Sequence, residues 1–336
     1  MSVKSYRDAI NECLHQEMER DQTVIVLGED VVGGSGTEGG KEAIGGVFSL
    51  TAGLWGKFGD NRVIDTPISE SAIVGAAAGA ALAGLRPVAE IMFTDFLGLC
   101  LDQIYNQAAK FKYMFGGKAK TPMVVRMTTG AGMSAAAQHS QTNYAWVTNI
   151  PGVKSIVPST PYDAKGLLAS AIRGEDPVVF FENKLLYMLK GEVPDEPYTI
   201  PLGKGVLTRQ GKDATIVAFS RMVHLANTVA DKLAAEGITC DVIDPRTTSP
   251  LDEEMILESV SQTGRLIVVD ESNPRCSLAS DIAGLVASKA FEYLDAPIKL
   301  VTPPHTPVPF APNLEQAYLP NPDKIEKAVR QALEGI

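Results

Sequence analysis

The sequence predicts an α/β protein in which helices cover both faces of mostly parallel sheets. Short apolar segments alternate along the chain with longer stretches of helical periodicity, and this alternation is typical of βαβ units. An acidic, proline-rich segment at 189–202 interrupts it, as an interdomain linker would. With 336 residues, 45% of them hydrophobic, the chain is long enough for two cores. We therefore predict a first domain at 1–188, a linker at 189–203 and a smaller α/β domain at 204–336.

The elements of the first domain follow from local patterns. An amphipathic helix is predicted at 6–20 and an apolar strand at 23–27. A short buried strand at 62–65 stops at Pro67, and Ser69 is a suitable N-cap for a helix of small residues running from about 70 to 85. The remaining patterns predict strands at 87–93, 122–126, 155–157 and 178–181, and helices at 96–113 and 161–173.

The second domain repeats the alternation on a smaller scale. Its apolar segments predict strands at 214–219, 240–243 and 266–270. Helical periodicity between them predicts helices at 222–236 and 252–263, and a last helix is predicted at 323–333.

Composition excludes several classes of partner and site. The formal net charge of −10 argues against nucleic acid or an anionic membrane surface as the main partner. The longest apolar stretch, 73–85, is too short to span a bilayer, and the acidic N-terminal region is unlike a signal peptide, so we expect a cytoplasmic protein. The four cysteines and four histidines are scattered without the spacing of a zinc site.

A glycine-rich segment offers one alternative function. Residues 34–39 formally match the GxGxxG pattern of a dinucleotide site and follow a predicted strand. A Rossmann helix should begin within such a motif, whereas Gly45, Gly46, Gly53 and Gly56 interrupt the stretch that follows. This pattern favours a loop, and an NAD-dependent oxidoreductase remains as the alternative from another class.

Polar and aromatic side chains stand where predicted strands end, the usual position of sites in parallel sheets. Glu70 lies in the first turn of the small-residue helix, where it either caps that helix or has a chemical role. His139 lies in a loop between two glutamines, and Phe96 begins a helix. Core packing explains Phe96 equally well at this point.

These residues belong to a longer resemblance that runs in order through both domains. The chain resembles the beta subunit of the thiamine-diphosphate-dependent first component of 2-oxo acid dehydrogenase complexes. The resemblance implies a transketolase-like pyrimidine-binding domain followed by a transketolase C-terminal-type domain. It rests on the segments GEDV at 28–31, GLWGKFGDNRVIDTPISE ending at Glu70, AGLRPVAEIMF, FTDFLGLCLDQIYNQAAK, AAAQHSQ, PGVKSIVPSTPYDAKGLL, DPVVFFENK, DVIDPRTTSPLD and HTPVPFAP.

The resemblance implies that thiamine diphosphate lies between an alpha and a beta subunit. The alpha subunit would hold magnesium and the diphosphate, and this chain the pyrimidine. Glu70 matches the carboxyl group that hydrogen-bonds a pyrimidine nitrogen and favours the imino tautomer, which takes the thiazolium proton. Glu29 matches an acidic position of a proton relay. Phe96 matches the ring that stacks on the pyrimidine, and Ile68 would line it.

Three further expectations come from the same resemblance. His139 matches the histidine that orients the intermediate and assists transfer to the lipoyl group. The small-residue helix resembles the element through which two beta subunits pack in an α2β2 assembly, and the second domain resembles the one that docks on the lipoyl-bearing dihydrolipoamide acetyltransferase core. A structural potassium ion would bind carbonyl oxygens at Met123, Ala171, Ile172, Gly174 and Asp176, although Gly174 replaces an acidic residue of the relatives.

Substrate preference follows from the finer details of the resemblance. The glycine-rich insert at 33–48, the segment at 93–117 and PHTPVPF resemble acetoin-cleaving members. Acetoin cleavage would release acetaldehyde and leave a hydroxyethyl intermediate on the cofactor for transfer to lipoamide. Pyruvate and branched-chain 2-oxo acids are the alternatives, because the alpha subunit completes the substrate pocket.

Overall fold

The computed structural model describes residues 1–33 and 45–336. The GxGxxG match at 34–39 and most of the glycine-rich insert lie outside the described residues. Within them the chain forms two compact units: residues 1–129 with 146–202, and residues 130–145 with 203–336. Segment 130–145 therefore packs with the second unit although it follows a strand of the first. The domain limits at 1–188 and 204–336 stay a prediction.

The first unit is built on a parallel sheet. Six of its strands lie in the order β6-β7-β5-β4-β2-β3, and every neighbouring pair among them is parallel. An antiparallel pair, β1 with β8, lies apart from this sheet. The strands are β1 (Ser2–Ser5), β2 (Val24–Gly28), β3 (Val63–Asp65), β4 (Arg86–Phe93), β5 (Val124–Thr129), β6 (Lys154–Ile156), β7 (Val178–Asn183) and β8 (Lys190–Val193).

Helices before and between these strands follow the predicted alternation. Helix α1 packs against α7, and their apolar faces bury Ile10, Leu14, Leu167 and Leu168 in the first core, because an amphipathic stripe must cover the sheet. The helices are α1 (Tyr6–Arg20), α2 (Leu54–Phe58), α3 (Glu70–Leu82), α4 (Leu97–Asp102), α5 (Ala109–Met114), α6 (Tyr144–Thr148) and α7 (Pro161–Arg173).

The small-residue helix α3 begins at Glu70, as predicted, but differs from its prediction in the capping bond and at its C-terminal end. Ser69 occupies the N-cap position, but its side chain makes no capping hydrogen bond. The helix ends at Leu82 rather than near residue 85, because Gly84 takes a positive φ of 99° and the amide of Leu85 bonds back to Ala80. This is the left-handed C-terminal turn that glycine favours.

Two other elements were predicted with partly wrong detail. The helix at 96–113 is α4 and α5 joined by a π-helical turn, Gln103–Ala108, which local periodicity does not reveal. Strand β5 begins at Val124 and continues to Thr129 instead of ending at 126. It stops where Gly130 adopts a φ of 94°.

The second unit contains a smaller sheet in the order β14-β13-β10-β11-β9, parallel except for β9 at its edge. Its core lies between this sheet and helices α8 and α12. The elements are β9 (Val206–Arg209), β10 (Ala214–Ala218), α8 (Arg221–Ala234), β11 (Cys240–Asp244), β12 (Thr247–Ser249), α9 (Glu253–Thr263), β13 (Leu266–Val269), α10 (Leu278–Lys289), β14 (Lys299–Val301), α11 (Pro312–Tyr318) and α12 (Pro322–Leu333).

The doubly covered parallel sheets confirm the predicted fold class. Helices α2, α6, α10 and α11 and the short strands β1, β8, β9, β12 and β14 were not predicted. Among the described residues, no helix combines the length and the apolar character needed to cross a membrane.

Candidate functional site

Glu29 and Glu70 lie at one edge of the first sheet. Strands β2 and β3 pair in parallel with Gly28 opposite Asp65, so the chain leaves both strands in the same direction. Glu29 directly follows β2, and Glu70 opens α3 after the turn that follows β3. Both side chains belong to half-buried residues.

The electrostatics of this edge show that the two carboxylates interact. Burial raises the pKa of Glu29, and the negative charges of Asp30 and Glu70 raise it further. Burial raises the pKa of Cys100 in α4 to about 12, with an added contribution from Glu70. Glu70 therefore lies within electrostatic reach of both Glu29 and α4.

The small residues of helix α3, which begins at Glu70, allow the neighbouring helix α4 and the π-helical turn to pack closely against it. Its N-terminal turn is tied to α4 by a hydrogen bond from the Ser71 hydroxyl to the carbonyl of Leu99. A Cβ atom on Gly75 would stand 3.4 Å from Cγ of Gln103 in the π-helical turn. The dipole of α3 also favours a carboxylate at residue 70.

Phe96 belongs to a row of aromatic rings in the first unit. Its ring contacts Phe93 edge-on with centroids 5.9 Å apart. Phe93 contacts Phe48 at 6.0 Å, and Phe48 contacts Tyr187 at 5.0 Å. Phe96 itself is half-buried, and Ile68 in the turn before α3 is 76% exposed. The two apolar side chains are thus accessible to a planar ring.

A buried ion network beneath this edge was not predicted. Arg126 on β5 donates to both Glu182 oxygens at 2.7 and 2.9 Å and to Glu90 at 2.9 Å. The hydroxyl of Tyr187 donates to Glu182 at 2.9 Å. Burial lowers the pKa of Arg126, but the two carboxylates raise it more. Charged residues inside the apolar strand segments AEIM, VVRM and FFEN were the available signal.

His139 belongs to the second unit, whereas Glu29, Glu70, Ile68 and Phe96 belong to the first. It is half-buried in the loop between β5 and α6. Its backbone amide donates to the carbonyl of Ala136 at 3.5 Å. The structure therefore brings the carboxylates and the aromatic ring to one sheet edge and places the histidine on a separately packed loop.

A cavity of about 260 Å³ lies behind this loop in the second unit. Ser140 and Gln141 of the loop line it, together with Glu271, His305 and Tyr318. Burial raises the pKa of Tyr318 to about 12, with an added contribution from the charge of Glu271. Glu271 was missed, although an acidic pair at the end of a predicted strand was visible in the sequence.

The five residues proposed for potassium lie in the first unit, and some of their carbonyls already accept hydrogen bonds. Arg86 donates to the carbonyls of Ile172 at 2.9 Å and Gly174 at 2.6 Å. The amide of Val178 donates to the carbonyl of Met123 at 2.9 Å. Asp176 pairs with Lys112 at 2.7 Å and Lys154 at 3.1 Å. A carbonyl oxygen has two lone pairs, so these bonds leave capacity for a cation.

Comparison with known proteins places most of the chain in two described families. Residues 2–190 match the family "Transketolase, pyrimidine binding domain" and residues 203–325 match "Transketolase, C-terminal domain". The chain is 57% identical over 331 residues to the acetoin:2,6-dichlorophenolindophenol oxidoreductase subunit beta of Cupriavidus necator, covering 98% of each chain. This chain belongs to the transketolase-like dehydrogenase beta subunits.

Sequence identity to other members of this beta-subunit family is higher for the second acetoin protein than for the branched-chain protein. The Bacillus subtilis protein with the same acetoin name is 56% identical, covering 98% of this chain and 97% of that one. The 2-oxoisovalerate dehydrogenase subunit beta of Bacillus subtilis is 46% identical, covering 99% and 100%. A solved split-gene transketolase, described as an inactive tetramer of four beta subunits, superimposes on this chain with a TM-score of 0.78. The two are 23% identical, and the match covers 98% of each chain, which shows that they share a fold.

The family assignment confirms the resemblance found in the sequence. The transketolase-like fold and the beta-subunit identity are both borne out. The beta subunits form part of thiamine-diphosphate-dependent oxidoreductases, so this assignment displaces the NAD-dependent alternative. The individual site residues stay predictions.

Proposed function

We propose that this chain is the beta subunit of the thiamine-diphosphate-dependent component of an acetoin dehydrogenase complex. The observation that carries the proposal is the near full-length identity of 56–57% to two acetoin oxidoreductase beta subunits. A branched-chain relative reaches 46% and a pyruvate dehydrogenase relative 42%. The reaction converts acetoin and the lipoamide disulfide into acetaldehyde and acetyl-dihydrolipoamide, so the disulfide is the oxidant and atoms balance.

The geometry of Glu70 fits a role as proton partner of a pyrimidine. When bound, thiamine diphosphate supplies a carbon nucleophile once its thiazolium carbon loses a proton. Glu70, in the first turn of α3, would hydrogen-bond a pyrimidine ring nitrogen and exchange a proton with it. Glu29 lies within electrostatic reach of it and has a raised pKa, as a member of a proton relay should.

Two apolar side chains support the same placement. Phe96 offers an accessible ring face, and its edge-on contact with Phe93 restrains it. Ile68, which is 76% exposed, lies two residues before Glu70 and lines the pyrimidine. His139 acts on the reacting substrate and assists acyl transfer to lipoamide.

An alpha subunit completes the site and holds magnesium and the diphosphate. Support comes from the relatives, which are named as beta subunits. Helix α3 exposes Ala72, Ala76, Gly79 and Leu82 along one face, and such small residues permit close helix packing. This face joins two copies of the chain in an α2β2 assembly. The second unit, in turn, docks on the lipoyl-bearing acyltransferase core.

A structural potassium ion would be held by the carbonyls of Met123, Ala171, Ile172, Gly174 and Asp176. The site fits only in part, because Arg86 already donates to two of these carbonyls. We therefore assign no catalytic step to potassium. We also propose that the domain limits at 1–188 and 204–336 mark the two functional domains.

The decisive experiment is reconstitution. The chain is co-expressed with its alpha partner, supplied with thiamine diphosphate and magnesium, and assayed with acetoin or pyruvate and an artificial electron acceptor. We expect acetoin to give the higher kcat/KM. A higher kcat/KM with pyruvate would instead make this chain a pyruvate dehydrogenase subunit. The same assay with the chain alone tests whether the alpha subunit is needed.

A further inference from the structure

The loop that carries His139 is held by three acidic residues distant from it in sequence. It runs from Gly130 to Asn143, between β5 and α6. Asp270 and Glu271 follow strand β13, and Glu315 lies in helix α11. All three acidic residues are buried, with exposed fractions of 0%, 6% and 2%.

Glu315 makes the most extensive of these contacts. One of its carboxylate oxygens accepts from the amide of Gly132 at 2.7 Å, and the other accepts from the amide of Ser134 at 2.9 Å. Two backbone N–H groups thus converge on one buried carboxylate. Charge-assisted bonds of this kind are stronger than neutral ones, and their loss would leave the buried groups unsatisfied.

The other two acidic residues hold the ends of the loop. Glu271 accepts from the amide of Ala131 at 2.6 Å. Asp270 accepts from the hydroxyl of Tyr144, the first residue of α6. The carboxylates therefore act on the beginning, the middle and the end of the segment that contains His139.

The loop backbone needs this support because part of it is strained. Ser134 and Ala136 have positive φ angles of 52° and 59°, a region that L-residues with side chains rarely adopt. Glu315 holds the amide of Ser134, one of these two residues. His139 follows three residues after Ala136 and bonds back to it. A change at Ser134 would consequently alter the path of the backbone into His139.

We propose that Glu315, together with Asp270 and Glu271, is a positioning residue that fixes the His139 loop in its strained, active conformation. This inference rests on the proposed function, because it assumes that His139 takes part in the reaction. Glu315 is buried, and both of its carboxylate oxygens are engaged by loop amides. Its effect on the rate passes through the loop.

The test uses the reconstituted enzyme with three single variants of this chain. Glu315→Gln keeps one acceptor oxygen and removes the charge, whereas Glu315→Ala removes both acceptors. Glu258→Gln is the matched control, because Glu258 is an exposed glutamate in helix α9 of the same unit. Hydrogen exchange of the peptide spanning residues 130–141 and acetoin turnover are measured for each.

We expect faster exchange of the loop peptide in both Glu315 variants, and more so in Glu315→Ala. Turnover should fall by about tenfold in Glu315→Gln and further in Glu315→Ala, since small misplacements of a catalytic group are costly. The KM for acetoin and the affinity for thiamine diphosphate should stay within about twofold of wild type. Unchanged exchange in both variants would overturn the proposal.

The double variant Glu315→Ala, His139→Ala separates positioning from general destabilisation. If Glu315 acts through His139, removing Glu315 should cost no further rate once His139 is absent. An equal rate loss in both backgrounds would contradict the proposal. A normal rate for His139→Ala alone would instead refute the proposed role of His139, while the exchange measurement would still report whether the carboxylates hold the loop.

Discussion

Burial raises the pKa of Glu29, and the charge of Glu70, together with that of Asp30, raises it further across the edge of the first sheet. The two residues are separated by 41 positions in the chain, but parallel pairing of β2 and β3 brings them to one edge. A neighbouring negative charge disfavours the ionised form of a carboxyl group. Glu29 in the proposed cofactor site therefore retains a proton more readily than an isolated glutamate would.

Substitution of Glu70 by Gln should abolish most activity of the reconstituted enzyme. Gln keeps the size of the side chain but cannot exchange a proton with the pyrimidine, so we expect turnover to fall by about 10²–10⁴-fold. Acetoin-dependent reduction of a dye measures this. Glu196→Gln, at an exposed position, is the control and should be normal. Near-normal turnover of Glu70→Gln would indicate that this chain has only a structural role.

The stability of the protein should depend on pH through Glu29. Its pKa is raised in the folded state. Glu29 therefore adds fully to the free energy of unfolding at a pH below the ordinary glutamate pKa, and this stabilisation is lost as the pH rises through the raised pKa. Glu29→Gln should therefore increase the unfolding temperature relative to wild type at neutral pH and not at pH 4. The increase should shrink in the Glu70→Gln background. A constant difference at all pH values would contradict this coupling.

Removal of Arg126 should destabilise the protein strongly. Arg126→Met would leave Glu90 and Glu182 buried without their shared cation, and breaking such a pair costs about 3–5 kcal/mol. Thermal unfolding of the reconstituted enzyme measures the loss. The control is Lys289→Met, which removes an exposed pair with Glu253 and should cost less than about 1 kcal/mol. Equal effects would show that the network contributes little.

Phe96→Leu should weaken binding of thiamine diphosphate while leaving the fold intact. Loss of ring stacking, at about 0.5–1.5 kcal/mol, corresponds to a decrease in affinity of up to about tenfold. Titration of the apoenzyme with the cofactor measures this change. Phe115→Leu is the matched control. The ring of Phe115 is 51% exposed and stacks on Phe111, away from the proposed pyrimidine site. If both variants bind the cofactor equally well, Phe96 does not stack on it.

Replacement of potassium by sodium should lower the unfolding temperature if the carbonyl site is occupied. The reason is mass action, since an ion that binds only the folded state stabilises it. Thermal unfolding in matched KCl and NaCl measures the difference. Gly174→Asp should enlarge it by adding a carboxylate, because the φ of −67° at Gly174 suits any residue. Identical unfolding temperatures in both salts would show that no potassium ion binds at these carbonyls.

The fold class and the family were predictable because both depend on local or ordered patterns. Hydrophobic periodicity located most strands, and the motifs around Glu70, Phe96 and His139 occur in family order. Local detail was less predictable where the conformation of one segment depends on its packing against another. The side chain of Ser69 makes no capping bond, and the π-helical turn within 96–113 left no periodic signal.

The sequence by itself determined that this is an α/β beta subunit with acidic and aromatic residues at the ends of its strands. Only the tertiary structure decided which of those groups interact. Arg126 bonds to Glu90 and Glu182, and Glu315 bonds to the loop of His139. Glu29 lies within electrostatic reach of Glu70. Hydrogen bonds and screened charges act over a few ångströms in space, and such distances between remote segments exist only after the chain has folded.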